Sequence, residues 1–322
     1  MRIFVAGATG AVGRALIPAL LSAGHVVTGT TRSSEKADAI RRAGAESVVV
    51  DGLNARAVRA AVISARPEVI IDQMTDLATV TDFRHFDRAF ANTNRLRTEG
   101  TDHLLLAARE AEVKRFIAQS FCGWTFSRQE AAVKIETDAP DPEPPRELAS
   151  TVDALQYLEQ IVTKSIHPEG IVLRYGSFYG PTTGMLSRAM TEELRHRRVP
   201  LIGNGGGWWS FVHVDDAASA AVAAIEHGKP GQIYNIVDNE PAPVSEWLPT
   251  LARILGAKPP FHIPAWVGRL LAGEHMVSMM TQVSAASNAK AKQELGWRPA
   301  HPSWRHGFAE AARLPVERQI AA

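Results

Sequence analysis

The sequence predicts an α/β protein: a doubly wound parallel sheet followed by a smaller, mainly helical C-terminal cap. Three observations carry this. The chain opens MRIFVAGATGAVG, a short apolar strand (residues 2–6) running into glycines at 7, 10 and 13 and then a helical stretch, 11–23. Short apolar segments alternate with amphipathic ones as far as residue 119, the pattern of βαβ units and a parallel sheet. The 322 residues are 45% apolar and 21% charged, as in an ordinary globular chain with room for one large domain or two sharing a core.

Further strands are expected at 25–30, where Val26 and Val27 are apolar, at 47–50 before Asp51, and at 68–72 after Pro67. Two more fall at 114–119 and 170–174, with helices at 34–43, 54–65, 83–112 and 151–165 between them. Residues 127–150 are acidic and hold prolines at 140, 142, 144 and 145, so a surface loop is expected there, able to act as a lid. The division that follows is a dinucleotide-binding domain over 1–174, with 211–238 returning to it. The substrate-binding cap is assigned to 175–210 and 239–322.

The glycine turn carries the first functional reading. A strand, a tight turn and a helix N-terminus bring unpaired, partly positive N–H groups to a phosphate. Glycine is needed where a Cβ would strike the cofactor or the packing strand. The spacing is GxxGxxG, and Gly7, Thr9, Gly10, Ala11, Val12 and Gly13 are the residues assigned to the pyrophosphate of a dinucleotide. After the second strand the chain reads Thr30-Thr31-Arg32-Ser33-Ser34, with no carboxylate. A guanidinium flanked by hydroxyls there suits the extra phosphate of NADP, where an acidic residue would select NAD. Met74, just after the fourth strand, is expected beneath the cofactor.

Net charge is +1 with a single cysteine, Cys122. There is no global basic field for nucleic acid or an anionic membrane. One cysteine excludes an internal disulfide and fits a reducing compartment. The chain shows no signal segment and no apolar run of membrane-spanning length, so a cytoplasmic location is expected. Neither metal-ligand spacing nor a G-x-S-x-G elbow occurs.

Several blocks in order resemble the extended short-chain dehydrogenase/reductase family, with its epimerases and dehydratases. They are Gly7-Ala-Thr-Gly10-Ala-Val-Gly13, Glu99-Gly-Thr-Asp-His-Leu-Leu with Lys114-Arg-Phe-Ile, and Leu173-Arg-Tyr-Gly-Ser-Phe-Tyr-Gly-Pro181. Phe211-Val-His-Val-Asp-Asp216, Tyr234-Asn-Ile-Val237 and Trp297-Arg-Pro complete the match. The resemblance implies a Rossmann-type sheet, Asp51 and Leu53 at the adenine, and Ser177 in the segment passing the nicotinamide. Ser120, ending the fifth strand, falls where the family places a substrate-binding hydroxyl, although another register would put Cys122 there. A homodimer through the two long helices flanking the sheet is also implied.

The departure lies at the catalytic centre. The family carries Tyr-x-x-x-Lys, whereas none of the tyrosines at 157, 175, 179 and 234 has a lysine four residues on. Aligning Glu159 with the family's helical glutamate puts Thr151 and Leu155 in the places of the pair. Tyr175 and Tyr179 remain as candidate acids, each with a rival role as a lining residue. His213 is expected to be structural, with Asp215 or Asp216 capping the next helix. Trp208 and Trp209 are expected to cover an aromatic substrate or to pack within the cap.

The leading expectation is an NADP-dependent oxidoreductase acting on a small apolar or aromatic carbonyl or alkene. Ser120, Tyr175 or Tyr179 would polarise the substrate. The alternatives are an epimerase, dehydratase or isomerase that keeps its cofactor, or a non-catalytic NADP(H) sensor.

Overall fold

The structure is a computed structural model that describes residues 1–77, 85–128, 133–181 and 183–313. In its first part β1 (Arg2–Ala6), α1 (Ala11–Ser22), β2 (Val26–Thr31), α2 (Ser34–Arg42) and β3 (Glu46–Val49) are followed by α3 (Ala55–Ala65) and β4 (Val69–Asp72). One long helix comes next: α4 (Phe86–Arg95), a π-helical turn over Leu96–Gly100, and α5 (Thr101–Glu110). Then come β5 (Arg115–Phe121), the short β6 (Val133–Lys134), α6 (Arg146–Thr163) and β7 (Glu169–Tyr175).

The remaining elements are mostly short. They are β8 (Ser177–Gly180), β9 (Thr183–Gly184), α7 (Arg188–Arg195), β10 (Leu201–Ile202), β11 (Trp208–Trp209) and β12 (Phe211–His213). Next are α8 (Val214–His227), β13 (Ile233–Ile236), β14 (Ala242–Pro243), α9 (Val244–Ile254), β15 (His262–Ile263) and α10 (Ala265–Ala272). The described part closes with α11 (Glu274–Thr281), β16 (Ala285–Ala286), α12 (Ala289–Glu294) and α13 (Trp304–Arg313).

Seven parallel strands form the central sheet in the order β3-β2-β1-β4-β5-β7-β13. Strand order reverses between β1 and β4. Ligands of such sheets lie outside the carboxyl ends of the strands at that point. Side chains alternate across each strand, which builds two cores. Ile3, Val5, Ile71, Ile117, Leu173 and Tyr175 pack with α1 and α8 on one face. Phe4, Ala6, Ile70, Phe116, Ala118 and Val172 pack with α3, α5 and α6 on the other. A third core, around Phe211, Trp247, Trp304 and Phe308, fills the C-terminal cap.

The strands and helices expected up to residue 119 agree with those observed to within about two residues, the usual scatter of helix and strand ends. Two expectations need correction. The helix expected at 151–165 begins at Arg146, because Pro145 precedes it with extended ψ and Glu147 complements its first turn. The segment 127–150 is pinned rather than free at the positions described. Arg128 Nε donates to Asp141 Oδ2 at 2.7 Å, and Glu136 Oε1 accepts from the Asn235 backbone N–H at 2.8 Å. Residues 129–132, also assigned to that loop, and 83–84, assigned to the long helix, lie outside the described residues.

Candidate cofactor and substrate site

The glycine turn has the geometry its spacing implies. Gly7 takes φ +81°, and a Cβ there would lie 2.6 Å from the Gln73 carbonyl oxygen at the end of β4. A Cβ on Gly13 would lie 2.6 Å from the Ala8 backbone. Gly10 is exposed and would meet only the Gly7 oxygen, at 3.3 Å, so its outer face is open. The N-terminus of α1 carries no side-chain cap and no acidic residue in its first turn. Its first N–H groups, those of Ala11, Val12 and Gly13, therefore suit a phosphate. The fit to a dinucleotide pyrophosphate rests on this open, uncapped turn. Thr9 Oγ1 lies 3.3 Å from Thr31 Oγ1, tying the turn to the end of β2.

Arg32 follows β2 and Asp76 follows β4, on either side of β1. Their side chains nevertheless meet, Arg32 Nη2 donating to Asp76 Oδ1 at 2.5 Å, so the ion pair arches across the carboxyl end of β1. The hydrogen bond to Asp76 raises the Arg32 pKa, and the charge of Asp51 adds to that effect. Asp76 also accepts from Asn92 Nδ2 at 2.6 Å. Ser33 caps α2, accepting from the Lys36 N–H. Asp51 is exposed and accepts from the Leu53 N–H at 3.0 Å. Met74 packs under this rim against Gly52 and Gly100.

Asp72, at the end of β4, is buried, accepting from the Met74 N–H at 2.9 Å and from Thr101 Oγ1 at 3.3 Å. Burial outweighs those bonds and pushes its pKa up to about 7. A carboxyl raised in the folded state binds its proton more tightly there than when unfolded. Its contribution to stability is therefore fully present below about pH 4 and is lost as pH rises toward 7. Asp72→Asn is expected to gain roughly 2–3 kcal/mol on the wild type between pH 5 and pH 8. Denaturant unfolding at the two pH values checks this, and an unchanged gap would mean that Asp72 is ionised throughout.

Beneath α6 lies a buried polar network. Ser120 Oγ donates to Glu159 Oε1 at 2.6 Å, and Arg174 grips the same carboxylate through Nε and Nη2 at 2.7 and 2.6 Å. Ser120 is 1% exposed and shares strand parity with Phe116 and Ala118, so it faces α6. The structure thus places this candidate substrate hydroxyl inside a structural network. Cys122, in the alternative register, is buried with its pKa pushed up to about 12, mainly by desolvation. That thiol is inert.

The two candidate acids are not brought to the crevice. Tyr175 is fully buried on the α1/α8 face, its hydroxyl donating to the Ala217 carbonyl at 3.3 Å. Tyr179 is fully buried in the cap core, with Gly307 and Phe308 of α13 against its ring and no partner for its hydroxyl among the described residues. Burial raises both phenol pKa values well above the ordinary range. Ser177 opens β8, its N–H donating to the Ser210 carbonyl at 2.8 Å.

His213 itself caps α8, Nδ1 accepting from the Asp215 N–H at 3.2 Å. The role expected of Asp215 or Asp216 is therefore filled by the imidazole. Asp216 instead accepts from the Ala300 and His301 N–H groups at 2.7 and 2.9 Å. Trp209 packs at 4.9 Å on Trp247 and donates from Nε1 to the Met279 carbonyl at 2.8 Å.

Sequence reasoning missed three residues. Asp76 stands opposite Arg32, and Asn94 and Arg97 lie on the long helix facing α6. Asn94 Nδ2 donates to Thr151 Oγ1 at 3.0 Å, and Arg97 Nη1 donates to Asn94 Oδ1 at 3.4 Å. The spacing Phe86, Phe90, Asn94, Arg97 puts all four on one helical face, and that face could have been read as buried. Among the described residues no helix is long and apolar enough to cross a membrane, and no cluster of three potential metal ligands occurs.

The model of the NAD dependent epimerase/dehydratase family matches residues 3–237. The chain belongs to that family. It is 43% identical over 315 residues to a 3-diazoavenalumate denitrifying reductase of Streptomyces sp, covering 96% of this chain and 99% of the relative. Among solved structures, the UDP-glucose 4-epimerase of Thermotoga maritima superposes with a TM-score of 0.78 at 22% identity, covering 100% of both chains. A human epimerase family protein crystallised with NADPH gives a TM-score of 0.75 at 18% identity, covering 98% of this chain and 100% of the other. The chain is an enzyme with the nicotinamide-dinucleotide fold of its family, and a similar relative is a reductase.

Proposed function

We propose that the protein is an NADPH-dependent reductase that removes dinitrogen from a small aryl diazo substrate. The observation that carries this reading is the burial of both candidate tyrosines. Tyr175 and Tyr179 are sealed in two separate cores, and the alignment through Glu159 gives Thr151 and Leu155 the places of the family's tyrosine and lysine. Reducing a carbonyl creates an alkoxide that a general acid must protonate. A diazonium group is already cationic and needs no such proton. The bound nicotinamide would supply a hydride, so that ArN2+ and hydride give ArH and N2 while NADPH becomes NADP+. The 43% identity to a denitrifying reductase of a diazo compound supports the same chemistry.

The chain's own residues have the remaining tasks. The uncapped start of α1 holds the pyrophosphate, and Asp51 and Leu53 border the adenosine. Arg32 exchanges Asp76 for the 2′-phosphate of NADPH. Arg32→Ala is expected to weaken NADPH binding about 10- to 100-fold and leave NADH binding nearly unchanged. Fluorescence titration with both cofactors checks it. Equal losses would remove Arg32 from phosphate recognition.

The function is tested by NADPH oxidation with an arenediazonium, an aldehyde and an enone, using wild type, Tyr175→Phe and Tyr179→Phe. Turnover with the diazonium is expected, and the variants should stay within about threefold of it, since neither phenol takes part. Turnover confined to the carbonyl compounds, or a drop of about a hundredfold in either variant, would overturn the reading.

A further inference from the structure

The long helix carries a buried cation that the fold itself leaves underused. Arg97 sits in the π-helical turn between α4 and α5 and is 5% exposed. A guanidinium offers five N–H donors. Among the described residues Arg97 makes one hydrogen bond, the 3.4 Å contact to Asn94, at the long end of the range. None of its nitrogens is among the sealed, unpartnered atoms of the interior, so the open N–H groups face accessible space. Turns of π-helix occur frequently at functional sites.

Among the described residues no carboxylate pairs with this charge. Glu159 is the acidic group that acts on Arg97. Its two oxygens are committed to Arg174 and Ser120, at 2.6–2.7 Å. The Glu159–Arg174 pair is neutral as a unit, and among the described residues Arg97 has no counter-ion of its own. Burying an unpaired ion is costly.

The neighbours of Arg97 point the same way. Asn94 accepts from Arg97 and donates to Thr151 Oγ1. Thr151 is fully buried, and its own O–H has no acceptor among the described residues. Thr151, Leu155 and Glu159 form one stripe on α6, four residues apart. Arg97 lies beside that stripe, between its contact with Thr151 through Asn94 and the field of Glu159. What the chain Thr151–Asn94–Arg97 still offers is the guanidinium N–H groups of Arg97, held in place from Thr151 through Asn94.

We infer that Arg97, positioned by Asn94 and through it by the buried Thr151, binds an anionic oxygen of the substrate, a carboxylate or a phenolate. The identity of the ligand as substrate rests on the reductase reading above. The cofactor's phosphates have their own partners at α1 and Arg32, which leaves the substrate as the source of this anion. A guanidinium accepts a carboxylate through two parallel hydrogen bonds, and a phenolate through one or two.

The test is calorimetric titration of the NADP+-saturated protein, which requires no turnover and so fails or succeeds independently of the diazo chemistry. The probes are cinnamate against cinnamamide, and 4-nitrophenolate against 4-nitroanisole at pH 8. Wild type is expected to prefer at least one anion over its neutral counterpart by about tenfold or more. A preference confined to cinnamate identifies a carboxylate, and one confined to nitrophenolate a phenolate.

Arg97→Met should abolish the preference, Arg97→Lys should retain part of it, and Thr151→Val should reduce it about threefold or more. NADPH affinity should stay within about twofold in Arg97→Met, with the melting temperature unchanged or raised because an unpaired buried ion is gone. The inference is overturned if wild type shows no anion preference, or if the preference survives in both Arg97→Met and Thr151→Val. It is equally overturned if Arg97→Met weakens NADPH as much as it weakens the anion.

Discussion

Replacing Glu159 with alanine is expected to destabilise the protein by about 3–5 kcal/mol, the cost of breaking a buried ion pair by removing one partner. Both side chains are about 90% buried, and Arg174 holds the carboxylate through two hydrogen bonds. The truncation leaves that guanidinium without its counter-ion and Ser120 without its acceptor. Three elements meet at this one carboxylate: α6, the end of β5 and the end of β7. Their alignment is lost with it. Glu159→Gln keeps oxygen and shape but loses the charge, so a smaller loss is expected. Denaturant midpoints of the two variants measure both. A loss below about 1 kcal/mol for the alanine variant would show that Arg174 finds another partner.

Gly13→Val is expected to abolish cofactor binding, by more than about a hundredfold, because the helix can no longer close on the strand that feeds it. The added Cβ would stand 2.6 Å from the Ala8 carbon and oxygen and from the Gly7 oxygen, all backbone. No side-chain rotation relieves such a contact, so the turn itself must shift. The first N–H groups of α1 then point away from the phosphate they serve. Equilibrium binding of NADPH and a thermal melt separate this from unfolding. Binding retained within a few-fold would mean that the phosphates are held elsewhere.

The parts of the fold legible in the sequence were those set by local pattern. The strand from Arg2 to Ala6, the glycines at 7, 10 and 13 and the alternation that follows each depend on neighbours close in the chain. The fate of the tyrosines depended on strand parity. Tyr175 follows Ile171 and Leu173 at intervals of two, and all three face α1 and α8. That parity was present in the sequence and spoke against a place in the crevice. The depth of Tyr179 was set by α13, more than 120 residues later in the chain, and no local signal carried it.

The sequence singles out Ser120 but carries no signal for its partner. Its hydroxyl turns to Glu159, a residue used only as an alignment marker, and not toward the crevice. The pairing of Arg32 with Asp76 joins two loops 44 residues apart and emerges only once β2, β1 and β4 lie side by side. Arg97 was hidden by its charge. Arginine usually marks the solvated face of a helix, whereas here it continues the buried face begun by Phe86 and Phe90.

The proposed reduction proceeds without a proton-donating tyrosine because its acceptor is a diazo group. Mass spectrometry of the gas released from a doubly 15N-labelled arenediazonium tests it most directly, with NADPH oxidation followed in the same vessel and an enzyme-free control subtracted. The account predicts one labelled dinitrogen and one arene for each NADPH oxidised. NADPH oxidation without labelled dinitrogen, or release of dinitrogen with no NADPH consumed, would contradict it.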